Sequence, residues 1–263
     1  MKPPVRDPNW LEEVQALYRH DIQEIWDPKI APQVWSQYHN QLAIYLALAR
    51  EGQRLEILDI GCAQGTLALL LAERGHAVWA VDIRQHFLDY ASRRHERGEV
   101  HFVCANALEA EFDRSFDLIY CNQMLEHIVH PVRLLHRLKV LLKEHGRLVV
   151  TTPNHRYLMN RLPSFGEIGP PEQHESRQHT ADADGHFFAY TLRELEGIFR
   201  EAGFRSVQAR AFESPWISGH MKVRHLHGML PQSMLGALDR ATLSLPVVGE
   251  VLAHQLLAVA END

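Results

Sequence analysis

Leu55-Glu56-Ile57-Leu58-Asp59-Ile60-Gly61-Cys62-Ala63-Gln64-Gly65-Thr66 carries a short apolar strand straight into a glycine-bounded turn and on into a helix. Ile57, Leu58 and Ile60 form the apolar run of a parallel strand covered on both faces, while Gly61 and Gly65 let the backbone turn tightly and approach a ligand. An apolar helix follows over 66–74. A second strand over 77–82 ends in Asp82, 17 residues after Gly65. At a similar offset in βαβ nucleotide sites, an acidic residue holds a ribose diol. The dinucleotide fingerprint Gly-x-Gly-x-x-Gly does not fit, because Ala63 stands at its second glycine and Thr66 at its third. A pyrophosphate ligand, and with it an NAD-dependent oxidoreductase, is therefore disfavoured.

Outward from this unit the periodicity alternates. Helices are expected over 85–97, 131–142 and 191–202, and strands over 100–104, 116–121 and 147–152, with further strand-like stretches at 205–212 and 254–260. Such alternation predicts an α/β fold with a doubly wound, mostly parallel sheet. Ahead of it, amphipathic patterns over 10–26 and 33–50, separated by Pro28 and Pro32, form a helical cap within 1–52. Two segments interrupt the core, 153–189 and 214–251. The first is rich in proline, glycine and histidine, lies beyond the fifth strand and is expected to act as a lid. The second carries Met229, Met234, Leu235, Leu243 and Val247, and suits a substrate cover, a homodimer face or a weak membrane-surface element.

A chain of 263 residues with 46% apolar content suits one α/β domain with additions, 1–263. A net charge of −6 supplies no general basic field, which disfavours long nucleic acid and favours a small-molecule acceptor. The segment Met1-Lys2-Pro3-Pro4-Val5-Arg6-Asp7 has no apolar signal core and no run of about 18 apolar residues occurs, so a cytoplasmic location is expected. Cys62, Cys104 and Cys121 all fall in or beside predicted strands and read as buried thiols rather than disulfides or zinc ligands.

The first stretch resembles motif I of the class I S-adenosylmethionine (SAM) methyltransferases, in the variant with Ala63 for the middle glycine. Further along, Phe116-Asp117-Leu118-Ile119 leads to Leu125-Glu126-His127 and Pro131, followed by Gly146-Arg147-Leu148-Val149-Val150, Phe188-Ala189-Tyr190-Thr191 and Ala202-Gly203-Phe204. Together these resemble the subgroup containing the ubiquinone-biosynthesis O-methyltransferases and related glycan and natural-product methyltransferases, over most of 52–204. The resemblance implies a Rossmann-like seven-stranded sheet with its last strand antiparallel, SAM as cofactor and S-adenosylhomocysteine (SAH) as product. It places Asp59, Gly61, Cys62, Ala63 and Gly65 at the amino-acid end of SAM. Asp82 then falls on the ribose, Ile83, Asn106 and Ala107 fall around the adenine, and Asn122 and Gln123 fall beside the cofactor.

Methyl transfer to a hydroxyl is helped by a base near neutral pKa, which makes His127 the expected catalytic residue, with Glu126 beside it. The same resemblance offers a divalent-metal alternative on Glu126, His127 and a later His179 or His186. Gln123 stands where that arrangement has its first Glu, removing a negative charge that a hard cation wants, so no metal is expected. The leading reading is O-methyl transfer to a small hydroxylated metabolite or sugar. N-methyl transfer and a SAM-binding protein without catalysis are the alternatives.

Overall fold

The computed structural model describes residues 1–49, 52–175 and 185–263. Seven strands form one sheet in the order β3-β2-β1-β4-β5-β7-β6. They are β1 (Glu56–Ile60), β2 (Ala77–Asp82), β3 (Glu99–Cys104), β4 (Phe116–Asn122), β5 (Leu142–Pro153), β6 (Ser206–Phe212) and β7 (Gln255–Glu261). β1 lies parallel to both β2 and β4, β4 is parallel to β5, and β7 runs antiparallel between β5 and β6. The expected doubly wound sheet with an antiparallel last strand is what forms. Because the chain leaves β1 toward β2 on one side and reaches β4 on the other, a crevice opens at the carboxyl ends of β1 and β4.

Helices α3 (Thr66–Glu73), α4 (Gln85–Arg94), α5 (Pro131–Val140) and α6 (Leu192–Glu201) cover the sheet. Ile57, Leu58, Leu118, Ile119, Val149 and Leu256 have no exposed surface, and each such side chain contributes about 1.5–3 kcal/mol by leaving water. β3 is an edge strand, and its outer position corrects one expectation: Cys62 and Cys121 are buried, but Cys104 is exposed.

Two expectations change for physical reasons. β5 begins at Leu142 rather than 147, because Leu142 pairs with Phe116 ahead of a register shift between Phe116 and Leu118. The polar run Lys143-Glu144-His145 at this bulge resembles the end of a helix. The segment 153–189 is also less loop-like than its composition suggests. Asn154 bridges Tyr190 and Ser164 bridges Ala189, Phe165 stacks on Tyr190 at 5.4 Å, and Phe188 is fully buried. Both of its described ends are thus tied to the core.

The cap consists of α1 (Glu12–Asp21), which widens into a π-helical turn over Ile22–Trp26, and α2 (Pro32–Leu48). The segment 214–251 folds into three α-helices, α7 (Pro215–Ser218), α8 (Gln232–Leu243) and α9 (Val248–Leu252), with a 3-10 turn over Val223–Leu226. It packs on the cap, where Gln232 Nε2 donates to Ser36 Oγ at 2.7 Å. Met229, Met234 and Val247 remain exposed on it. No helix among the described residues is long and apolar enough to cross a membrane.

Candidate active site

The turn between β1 and α3 is shaped by residues whose backbone is left-handed. Gly61 and Gly65 have φ of +76° and +71°. A Cβ at Gly61 would lie 2.9 Å from Met124 Sδ, and one at Gly65 would lie 2.8 Å from the Ala91 Cβ on α4. Gly65 therefore allows the close approach of α3 and α4. Ala63 takes φ 46° without being glycine, the kind of strain that persists where surrounding contacts hold it. Here the Ala63 amide donates to Asp82 Oδ2 at 3.0 Å, and the amides of Gly61 and Cys62 donate to the Val81 carbonyl at 2.8 and 2.9 Å. The end of β2 thus fixes the loop that follows β1.

A cavity of about 200 Å³ opens beside this loop, lined by Asp59, Gly61, Cys62, Ala63 and Gln64 and, from the end of β4, by Asn122 and Gln123. The cap supplies the opposite wall with Glu24, Tyr38, Gln41 and Tyr45. None of these four was singled out from the sequence; an amphipathic helix hides which of its polar residues turn inward. Among the described residues, no Lys, Arg or His lines the cavity. Burial, together with repulsion from Asp82, pushes the Asp59 carboxyl up to about 7.

Cap and loop are locked together by a buried ion pair. Arg94 at the end of α4 and Asp21 at the end of α1 are both wholly buried, with Nη2 and Oδ1 2.8 Å apart. The same guanidinium donates to the Gln64 carbonyl at 2.7 Å and to Thr66 Oγ1 at 3.1 Å. Tyr90 donates its hydroxyl proton to Asp21 Oδ2 at 2.7 Å. Burial still raises the Asp21 pKa, outweighing Arg94 and the hydrogen bonds from Tyr90 and Trp26.

Beyond β4 lies a second group. Glu126 is fully buried, and its Oε2 accepts from Thr152 Oγ1 at 3.1 Å while Oε1 has no hydrogen-bond partner. Burial pushes its carboxyl up to about 8. His186 Nε2 lies 3.9 Å from Glu126 Oε1, and the His127 and His186 rings meet edge-on with centroids 4.8 Å apart. One donor atom from each of Glu126, His127 and His186 lies within 4.8 Å of the others. His186, far from the adjacent pair Glu126 and His127 in sequence, is thus brought beside them. Residue His179 lies outside the described residues. Gln123 is not part of the group: its Nε2 donates to Thr151 Oγ1 and Gln255 Oε1, on the cavity side.

A third cluster was missed by the sequence reading. The Tyr157 hydroxyl and His220 Nδ1 are 2.8 Å apart, and the rings of His220 and His254 meet at 4.5 Å. Burial, with His220 and His186 nearby, lowers His254 to about 4. Gln37 Nε2 lies 3.4 Å from His254 Nδ1 and donates to Glu213 Oε2 at 3.0 Å, and Gln41 of the cavity wall donates to the same oxygen at 3.0 Å. Glu213 is fully buried and lifted to about 7 by that burial. A run of polar contacts therefore joins the cavity to the insertion 214–251.

The residues assigned to ribose and adenine lie outside the cavity lining, at the ends of β2 and β3. Asp82 is buried and also accepts from the Arg84 amide and Nε at 2.9 and 3.2 Å. Ile83 is 53% exposed, leaving an apolar surface for a flat ring, whereas Ala107 is packed in the core. Asn106 Oδ1 accepts from the Leu108 amide at 3.0 Å, as in an Asx turn, so it serves the loop as well.

The profile of the family described as methyltransferase domain matches residues 10–209, most of the chain. The chain belongs to that family. As a methyltransferase-domain protein it uses SAM as cofactor. Ubiquinone biosynthesis O-methyltransferases are among its relatives: one from Rickettsia akari (strain Hartford) is 25% identical over 147 residues, 55% of each chain. Another, from Azotobacter vinelandii, is 38% identical over 104 residues, 38% of this chain and 44% of the other. The chain thus spans about half the length of the curated relatives it matches. Solved structures of like fold include the N-methyltransferase NodS from Bradyrhizobium japonicum WM9 with bound SAH, at TM-score 0.54, 15% identity and coverage of 94% of this chain and 97% of that one. Phosphoethanolamine N-methyltransferase 2 from Haemonchus contortus with SAM gives TM-score 0.58 at 19% identity, over 92% of this chain and 59% of that one.

Asp82→Ala is expected to weaken SAM binding by about 1.5–3 kcal/mol, the range for losing charge-assisted hydrogen bonds. Titration calorimetry on the folded variant checks this. An unchanged dissociation constant removes Asp82 from the site.

Proposed function

We propose that the protein transfers the methyl group of SAM to a hydroxyl of a small, uncharged, hydroxylated acceptor, with His127 as general base. The observation that carries this reading is the meeting of Glu126, His127 and His186 at the ends of β4 and β5, next to the Asn122 and Gln123 that line the cofactor cavity. SAM, when bound, supplies a methyl group already activated by a cationic sulfur. The chain's own task is to orient the acceptor and take its proton. His127 accepts that proton, and His186, kept neutral by burial, is placed to share it. Glu126 stays protonated near neutral pH and can donate to the acceptor or hold a histidine ring.

The surrounding wall supports an uncharged acceptor. Burial lowers the pKa of His186, His220 and His254, so these imidazoles offer hydrogen bonds rather than fixed positive charge. The test is a panel of sugars, phenols, amines and carboxylates with methyl-labelled SAM, scored by SAH release, with the labelled atom located in the product. Label on oxygen of a neutral hydroxylated compound is the expected result. Label on nitrogen would favour the amine reading, and SAM binding with no transfer across the panel would favour a binding protein.

One observation favours a second reading. Glu126 Oε1 is buried without a hydrogen bond beside two imidazoles, and two nitrogens with one oxygen suit a zinc-like cation better than Mg²⁺. A cation held by Glu126, His127 and His186 would polarise the acceptor hydroxyl and lower its pKa. Activity that falls on exhaustive EDTA treatment and returns with Zn²⁺ or Mn²⁺ supports this version. Activity indifferent to both supports the expected metal-free one.

A further inference from the structure

We propose that Glu24, in the π-helical turn of the cap, is the anionic partner of the cofactor's α-ammonium group. This rests on the reading that the cavity takes the amino-acid end of SAM. That end carries an ammonium, which must exchange its water for acceptor atoms when it is enclosed. The cavity offers two carboxylates, Asp59 and Glu24, and no basic side chain among the described residues. Asp59 lies at the end of β1, on the sheet side beneath the loop, and is buried, whereas Glu24 is the carboxylate on the opposite, cap-side wall.

Glu24 is held in place for this role. Its Oε2 accepts from Gln64 Nε2 at 2.7 Å, and Gln64 Nε2 also donates to the Tyr38 hydroxyl oxygen at 3.1 Å. Gln64 is itself part of the loop after β1, and its carbonyl is fixed by Arg94. The carboxylate thus stands over the loop that receives the amino-acid moiety, with lone pairs in excess of the single bond from Gln64. The wide turn that presents it, with the Asp27 amide donating to the Ile22 carbonyl at 2.8 Å, is of a type that recurs at functional sites. Burial and Asp21 lift the carboxyl to about 7, and an arriving cation favours its ionised form.

Three ligands separate this role from a structural one: SAH, the SAH analogue without its α-amino group, and methylthioadenosine, which lacks the whole amino-acid end. In Glu24→Gln, SAH affinity is expected to fall about tenfold, the scale of a charge-assisted hydrogen bond, while methylthioadenosine and the deamino analogue bind as they do to the unaltered protein. For the unaltered protein, deamino-SAH is expected to bind about tenfold more weakly than SAH on the same ground, a measurement that stands even if the variant does not fold. The proposal is overturned if Glu24→Gln leaves SAH affinity unchanged, if it weakens all three ligands alike, or if the unaltered protein binds SAH and its deamino analogue equally. Failure of the unaltered protein to bind SAH or methylthioadenosine at all would instead sink the cofactor reading beneath it.

Discussion

His127→Ala is expected to cut turnover of a good hydroxyl acceptor by about 10²–10⁴, the range for a lost general base, while leaving the SAM dissociation constant where it was. The separation follows from position. His127 lies with Glu126 and His186 beyond β4 and does not line the cavity, whose walls come from the loop after β1, the cap and, at the end of β4, Asn122 and Gln123. Single-turnover kinetics with saturating SAM, together with calorimetry of SAM binding, decide it. A variant that methylates at the unaltered rate would remove His127 from the chemistry. One that loses SAM affinity in proportion to turnover would make it part of the cofactor site instead. His186→Ala is a useful companion, because the two rings touch and each can cover part of the other's loss.

Arg94→Met is expected to lower stability by about 3–5 kcal/mol, because it strands the wholly buried Asp21 carboxyl without its counter-charge. It also withdraws the donors to the Gln64 carbonyl and Thr66 that fix the loop, so SAM affinity should fall with it. Urea unfolding read by tryptophan fluorescence measures the first effect. Asp21→Asn combined with Arg94→Met is expected to recover part of the loss, since a neutral amide is cheaper to bury than a lone carboxylate. A single variant within about 1 kcal/mol of the unaltered protein, the scale of an exposed ion pair, would show that the pair behaves like a surface one.

Arg94 also shows where the sequence stops being legible. It stands in a basic last turn, Arg93-Arg94, that reads as an ordinary solvated helix end. Only the docking of α1, with Asp21 at its end, turns one of the two arginines into the interior. The same holds for Glu24, Tyr38 and Gln41, whose facing is set by how the cap lies on the sheet, and for Glu213 and His254, which meet Gln37 only through the antiparallel pairing of β6 with β7. By contrast, the run from Ile57 to Asp82 was readable because its constraints are local. Buried parallel strands need continuous apolar runs, and a tight strand-to-helix turn needs residues that tolerate positive φ. Even there Gly65 answers a tertiary constraint that the sequence does not show, since the space it leaves is taken by Ala91. Ala107 packs in the core, and a small residue after a strand serves the core as readily as a ligand. Glu126 and His127 were found because they are adjacent in sequence, and the joining of His186 to them depends on Phe187 hydrogen-bonding the Glu126 carbonyl at 3.0 Å.

The most direct test of the whole account is a crystal structure of the protein with SAH. The ribose hydroxyls are expected on Asp82, the amino-acid end between the Gly61 to Gly65 loop and Glu24, and the sulfur turned toward the side on which His127 and His186 meet. Density for SAH at another place, or in this cavity with its sulfur facing away from the two histidines, would contradict it.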